Sequence, residues 1–265
     1  KVNAGTYTVT AKFTGNENYN EIADMTAELV IEKATYDMSE VIFNDSTVTY
    51  NGEAHSILAE NLPSGVTVSY EGNGKVNAGT YTVTAKFTGN ENYNEIADMT
   101  AELVIKKATY DMTGVTYVGK EATYDGQAHS IEAQNLPAGV TASYNGNAQI
   151  NAGEYTVVVS FTGDSTNYEE IPSEEVTLKI NKATYDMSGI TFEGKTVTYN
   201  GTVQELAIAG ELPEGVEVSY EGNGQTNAGT YTVTAKFTGN ANYNEIADMT
   251  ATLVIEKATY DMSKV

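Results

Sequence analysis

Two histidines, His55 and His129, are the side chains in this 265-residue sequence best suited to proton transfer near neutral pH. They lie 74 residues apart in matching surroundings, Tyr-Asn-Gly-x-x-His-Ser and Tyr-Asp-Gly-x-x-His-Ser, and the third matching place is held by Gln204. A shared general base would not be exchanged for an amide, so both are read as surface or structural groups. The absence of Cys removes thiolate nucleophiles, disulfides, zinc-thiolate sites and iron-sulfur clusters together. Carboxylates abound, at 36 Asp plus Glu, yet no His, Cys or Arg constellation organises them and no Ser-His-Asp arrangement recurs in each copy of the sequence pattern. The chain is therefore read as non-enzymatic, with no catalytic and no cofactor-binding residues.

One oxygen-rich cluster could serve a cation: Asn90, Glu91, Asn92, Asn94 and Asp98, with counterparts over 16–24 and 240–248. Calcium takes about six to eight oxygen ligands, which makes it the one cofactor to consider. The spacing fits no calcium loop, and the matching stretch 163–168 reads Gly-Asp-Ser-Thr-Asn-Tyr, so a plain loop is the competing reading. Leu62-Pro63-Ser64-Gly65 and its counterparts at Leu136 and Leu212 look like wall-sorting signals but lack the fourth-place Thr and an apolar tail; they read as turns. Gly72-Asn73-Gly74 precedes a strand pattern, not the helix a dinucleotide fingerprint needs. Lys86 and Lys236 sit at outward positions, and Ser160 replaces them in the copy between, which argues against an internal Lys-Asn cross-link common to all copies. Thr80, Thr82, Thr84 and Thr88 form an exposed row too short for an ice-binding face, and ordinary strand propensity accounts for it.

These residues recur because the chain is a repeat. Lys-Ala-Thr-Tyr-Asp-Met begins at Lys33, Lys107, Lys182 and Lys257, and Asn-Ala-Gly-x-Tyr-Thr-Val begins at Asn3, Asn77, Asn151 and Asn227. Residues 1–34 match residues 75–108 everywhere except Glu32 against Lys106. The phasing gives the C-terminal half of a truncated repeat over 1–32, full repeats over 33–106, 107–181 and 182–256, and a first-strand stub over 257–265. An alternative phase starts units at Lys1, Lys75 and about Ala148. A period near 75 approaches the size of an independent domain and exceeds that of solenoids.

Within a repeat the hydrophobic period is two. Tyr81, Val83, Ala85 and Phe87 alternate with Thr and Lys, as in a half-buried strand. Further strands are predicted near 47–50, 56–59, 66–70 and 100–105, with an edge segment near 38–43, separated by Asn-Gly, Pro-x-Gly and Gly-Asn turns. Short strands with no helical stretch predict an all-β fold of tandem small immunoglobulin-like antiparallel β-sandwich domains, arranged as beads in an extended rod.

The run Tyr-Asn-Gly-x-x-His-Ser, Leu-Pro-x-Gly-Val, Tyr-x-Gly-Asn-Gly, Asn-Ala-Gly-x-Tyr-Thr-Val, Asn-Tyr-Asn-Glu and Leu-Val-Ile-x-Lys-Ala resembles the MBG-type bacterial immunoglobulin-like repeats of surface proteins and adhesins. The resemblance covers all three full repeats and both fragments. It implies an extracellular, cell-surface or secreted tandem sandwich, often serving as a stalk. No ligand follows from it.

A net charge of −22 excludes the basic stripe that nucleic acid or an anionic membrane requires, and no apolar run approaches the roughly 20 residues of a membrane-spanning helix. Repeat 33–106 carries four Lys against ten acids, so neighbouring beads repel. The junction Leu-Val-Ile-x-Lys-Ala-Thr-Tyr-Asp-Met lacks Gly and Pro, which predicts a short, stiff link. With about 35–45 Å per bead the whole spans on the order of 130–150 Å. The expected function is a structural stalk or spacer of a long bacterial surface or fibre-forming protein; the alternative is an adhesive module binding carbohydrate or a host protein through its loops. Adjacent repeats are the expected partners. Neighbouring identical chains are a further expectation, because the two strands of 1–32 are marginal alone. The start, without Met or leader, reads as a piece of a longer protein.

Overall fold

The computed structural model describes residues 1–262. The expected stub 257–265 thus lies partly outside the described residues. Sixteen strands and no helix make up the described chain, so the all-β expectation holds. The chain separates into two compact units, Lys1–Asp111 with Thr162–Ile171, and Met112–Phe161 with Pro172 onward.

Unit 1 opens with a hairpin of β1 (Gly5–Ala11) and β2 (Met25–Ile31), paired from Gly5 with Ile31 to Ala11 with Met25. Its main sheet contains β3 (Ser46–Thr49), β4 (Thr67–Glu71), β5 (Gly79–Thr88) and β6 (Met99–Lys106) in the order β3-β6-β5-β4. The inward positions read from the alternation are inward here: Val83 and Ala85 are fully buried and Phe87 nearly so. Leu103 and Ile105 from β6 join Val83 and Ile57 in one apolar cluster. Thr on the outer positions of β5 supplies branched side chains that suit a pleated surface.

The sheet is not purely antiparallel, contrary to expectation. β3 runs parallel to β6, with Ser46 opposite Leu103 and Thr49 opposite Lys106. The reason lies in the connection. β3 and β4 occupy opposite edges, so the chain between them, 50–66, must cross the sheet, and a crossover is what parallel strands require. That crossing segment supplies Ile57 and Val66 to the core. It forms no regular strand at 56–59; bridges at Ile42 with Glu60 and His55 with Lys75 hold it, and the expected edge segment 38–43 is reduced to the first of these bridges and a turn from Met38 to Val41. The second layer of the sandwich is therefore mostly irregular.

Unit 2 builds the same design twice. One sheet joins β8 (Glu121–Thr123), β10 (Thr141–Asn145), β11 (Gly153–Thr162) and β12 (Glu174–Asn181), with β8 parallel to β12. A two-stranded pair, β7 (Thr116–Val118) with β9 (Glu132–Gln134), regularises its second layer. The other sheet joins β13 (Lys195–Thr198), β14 (Glu217–Glu221), β15 (Gly229–Thr238) and β16 (Met249–Glu256), again with a parallel β13–β16 ladder. Leu178 and Leu253 are fully buried at equivalent core positions.

Candidate functional site

The histidines sit at the mouths of turns. His55 Nε2 lies 2.9 Å from Asn51 Oδ1, and His129 Nε2 lies 3.0 Å from Asp125 Oδ1. Gln204 reaches Asn200 Oδ1 at 3.2 Å in the same place. Each of the three also pairs by backbone with the turn after the β4-type strand, at Lys75, Gln149 and Gln225. An amide replaces imidazole because the task is to brace a turn. The Asp125 carboxyl is held below the ordinary aspartate range, first by the Gln127 N–H and then by His129.

The Pro-x-Gly motifs form turns: Val66, Val140 and Val216 each donate a backbone hydrogen bond to the proline carbonyl three residues earlier. Lys86 lies 2.5 Å from Glu71 and Lys236 lies 2.6 Å from Glu221, all on exposed strand faces. No group of three or more His, Cys, Asp or Glu side chains able to hold a metal ion occurs among the described residues.

The oxygen-rich loops have a different occupation. Asn90 Oδ1 accepts the Asn92 N–H, Asn94 Nδ2 donates to Thr35, and Asn92 Oδ1 accepts the Ala4 N–H at 2.7 Å. The amide oxygens at 90 and 92 are thus engaged in backbone hydrogen bonds. Asn92 does not serve its own sheet; it reaches to the turn before β1. Asn167 repeats this bond to the Ala78 N–H at 2.8 Å, within unit 1, and Asn242 repeats it to the Ala152 N–H at 2.8 Å, within unit 2. A second amide contact runs from Nδ2 to Asn3, Asn77 and Asn151 respectively. Asn167 is the buried polar residue among those described, and Asp164 holds its Nδ2 at 2.8 Å. That bond is the main reason the Asp164 carboxyl lies below its ordinary range.

The tyrosine that follows each asparagine completes a clamp. Tyr93, Tyr168 and Tyr243 stack on Tyr36, Tyr110 and Tyr185 with centroids 3.9 to 4.0 Å apart. Tyr168 also meets Tyr50 edge-on at 5.5 Å, and Tyr243 meets Tyr124 in the same way, geometries that stabilise aromatic pairs. Backbone bridges from Ala34, Ala108 and Ala183 to the same three tyrosines pin the loops. Glycine is required beside the stacked rings, since a Cβ at Gly89 would fall 2.3 Å from Tyr36. The loop considered for calcium is the centre of this clamp. Its role was hidden in sequence, because an Asn-Tyr pair carries no sign of the distant alanine N–H it will meet.

A second missed residue is Asn73. Its side chain accepts the Ile57 N–H at 2.8 Å and donates to the Ile57 carbonyl at 2.7 Å, pairing like a strand with the crossing segment. Asn147 does this for Ile131 and Asn223 for Leu206. Their recurrence at one place in every full repeat was the available signal.

Fold and clamps together define a tandem array of small all-β, immunoglobulin-like units. The chain belongs to the MBG domain family, whose model matches residues 39–109, 113–184 and 188–259. No match was found among curated proteins. Among solved structures the chain is similar to the human desmocollin-1 ectodomain, with 11% identity over 96% of this chain and 68% of that one and a TM-score of 0.25. It is also similar to SGBP-B of the Bacteroides ovatus mixed-linkage glucan utilization locus in complex with a mixed-linkage heptasaccharide, with 13% identity over 97% of this chain and 72% of that one and a TM-score of 0.20. A three-immunoglobulin-domain stretch of titin shares 10% identity over 83% of this chain and 99% of that one, with a TM-score of 0.24. No helix among the described residues is long and apolar enough to cross a membrane.

Proposed function

We propose that this chain is a non-enzymatic spacer segment of an adhesin-like bacterial surface protein. The observation that carries the reading is the Asn-Tyr clamp: the loop residues with the richest chemistry, Asn92, Asn167 and Asn242, are committed to bonds within the chain. A recognition surface keeps such groups for a ligand, whereas a spacer uses them to fix one repeat to the next. The charge of −22 fits this role, because like-charged segments resist collapse and non-specific adhesion. The segments 1–32, 33–106, 107–181, 182–256 and 257–265 are the proposed structural divisions. Small-angle scattering of the intact chain is expected to give an elongated particle. A freely jointed distribution, or a compact particle, would sink the spacer reading.

The alternative, an adhesive module for carbohydrate or a host protein, draws on repeat 107–181, where the loops depart most from the other copies. Ala148 there holds a left-handed backbone, φ 62°, at a place where Gly74 and Gly224 stand in the other two. Binding of that repeat's loops to a glycan array would favour this reading over the spacer.

A further inference from the structure

Asn-Gly pairs occur at Asn51, Asn73, Asn145, Asn200 and Asn223. Such a pair can modify itself, because glycine has no Cβ to shield its nitrogen from the side-chain carbonyl before it. The glycine nitrogen gives up its proton and bonds to the asparagine Cγ, the Cγ–Nδ2 bond breaks as ammonia leaves, and water then opens the cyclic imide. Opening at Cγ yields aspartate; opening at the main-chain carbonyl yields isoaspartate. The fold treats the five pairs unequally.

Asn73 and Asn223 are locked. The Asn73 side chain holds both the N–H and the carbonyl of Ile57, and Asn223 holds those of Leu206. Moving Cγ onto the next nitrogen would break both bonds and strand the backbone of a buried residue. Asn145 ends β10, whose pairing with β11 fixes its backbone.

Asn51 and Asn200 stand in exposed turns, and their hydrogen bonds converge on the atom that gains charge during the attack. Asn51 Oδ1 accepts the Glu53 N–H at 2.9 Å, and His55 Nε2 lies 2.9 Å from the same oxygen. An amide oxygen only accepts, so Nε2 carries the proton. Asn200 Oδ1 accepts the Thr202 N–H at 2.9 Å, the Thr202 hydroxyl at 2.7 Å and Gln204 Nε2 at 3.2 Å. Donors aimed at a carbonyl oxygen stabilise the oxyanion of a tetrahedral intermediate. The departing nitrogen, Asn51 Nδ2, faces the exposed Glu53 carboxylate at 3.4 Å. The ring also has room to form, since a Cβ on Gly52 or Gly201 would meet nothing within 4 Å.

The product is already present in the molecule. The matching turn of repeat 107–181 carries Asp125, whose Oδ1 accepts the Gln127 N–H at 2.8 Å and lies 3.0 Å from His129 Nε2. Aspartate therefore fits this turn without rearrangement.

We propose that Asn51 and Asn200 are sites of spontaneous deamidation in the folded chain, promoted by the donors His55 and Gln204, and that the same fold protects Asn73 and Asn223. Each conversion adds one negative charge to a chain already at −22. The inference stands independently of the spacer reading.

Peptide mapping by mass spectrometry, on the intact chain held in warm neutral buffer with and without urea, tests this. Unfolded in urea, the five pairs should convert at comparable rates. In the native chain Asn51 and Asn200 should convert at least about tenfold faster than Asn73 and Asn223, which corresponds to about 1.4 kcal/mol of activation free energy. His55→Ala should slow Asn51 at least about threefold, a modest loss beside that of an oxyanion donor in a water-excluded site. His55→Gln should restore the rate, as Gln204 does the same task beside Asn200. Asn200 serves as the internal reference in both variants, and continued protection of Asn73 shows that repeat 33–106 stays folded. Asn51 retaining its amide in the native chain, Asn73 converting as fast as Asn51, or a rate at Asn51 indifferent to His55→Ala overturns the proposal.

Discussion

Residues 1–31 and 75–105 have the same sequence, form the same hairpin in the same register, and differ in nearly everything else. Val83 is fully buried and Val9 is 51% exposed; Leu103 is 1% exposed and Leu29 is 43% exposed. The difference is the crossing segment. Around β5 and β6, residues 46–66 provide a parallel neighbour strand and Val48 and Ile57 to cover the face, and Asn73, in the turn after β4, anchors that segment at Ile57. Among the described residues, the β1–β2 hairpin pairs in a two-stranded sheet without such a covering segment. Strand pairing is therefore a local property of this sequence, whereas the core is a property of the hairpin together with its covering layer.

The comparison is broken most directly by one substitution made twice. Leu103→Ala should destabilise its repeat by about 2–5 kcal/mol, because it removes transfer energy and leaves a cavity. Leu29→Ala, the same change at the matching place, should stay within about 0.5 kcal/mol, as surface changes do. Urea unfolding followed by tyrosine fluorescence measures both. Equal effects would mean that the face of β1–β2 is covered in solution.

A smaller effect isolates the covering layer itself. Asn73→Ala leaves the hairpin sequence untouched but strands the N–H and carbonyl of Ile57, which is 7% exposed. The expected loss is about 1–3 kcal/mol, the cost of an unsatisfied buried polar group. Hydrogen exchange should show protection falling in 50–66 before it falls in the β5–β6 ladder, moving that ladder toward the condition of β1–β2.

The smallest effect concerns the Asn-Tyr loops of the clamp. Asp164 stands where Asn16, Asn90 and Asn240 stand in the other copies, so only this loop carries a titrating group at that place. Its folded pKa is lowered, chiefly by the Asn167 side chain. A lowered folded value means the stabilisation is complete above the unfolded value of about 3.9 and is lost as pH falls through the folded value. Acid melting curves should therefore show Asp164→Asn flattening the dependence below about pH 4, with little change at pH 7. An unchanged acid slope would show that the Asp164 bond to Asn167 does not form in solution.

Much of the fold was legible because β-sheet periodicity is written residue by residue. The alternation Tyr81, Val83, Ala85, Phe87 gave both a strand and its inward face, and the Pro-x-Gly turns fell where proline and left-handed glycine place them. The crossing segment was misjudged at 56–59 because its inward residue, Ile57, looks like one half of an alternation, while its hydrogen bonds go to an asparagine side chain. The clamp was the least legible feature. Asn92, Asn167 and Asn242 bond to alanines 88 to 90 residues away, and nothing local marks which backbone N–H a distant amide will reach.

Composition and period determined by themselves that this protein would be a tandem of acidic, helix-free units with no thiol chemistry, because those properties add along the chain without reference to where it goes. Direction and burial needed the tertiary structure. Whether β3 lies parallel or antiparallel to β6 depends on a crossing that no strand encodes. Identical hairpins are buried or exposed according to what covers them, since the hydrophobic effect acts on surface removed from water, and that surface exists only once the chain has packed.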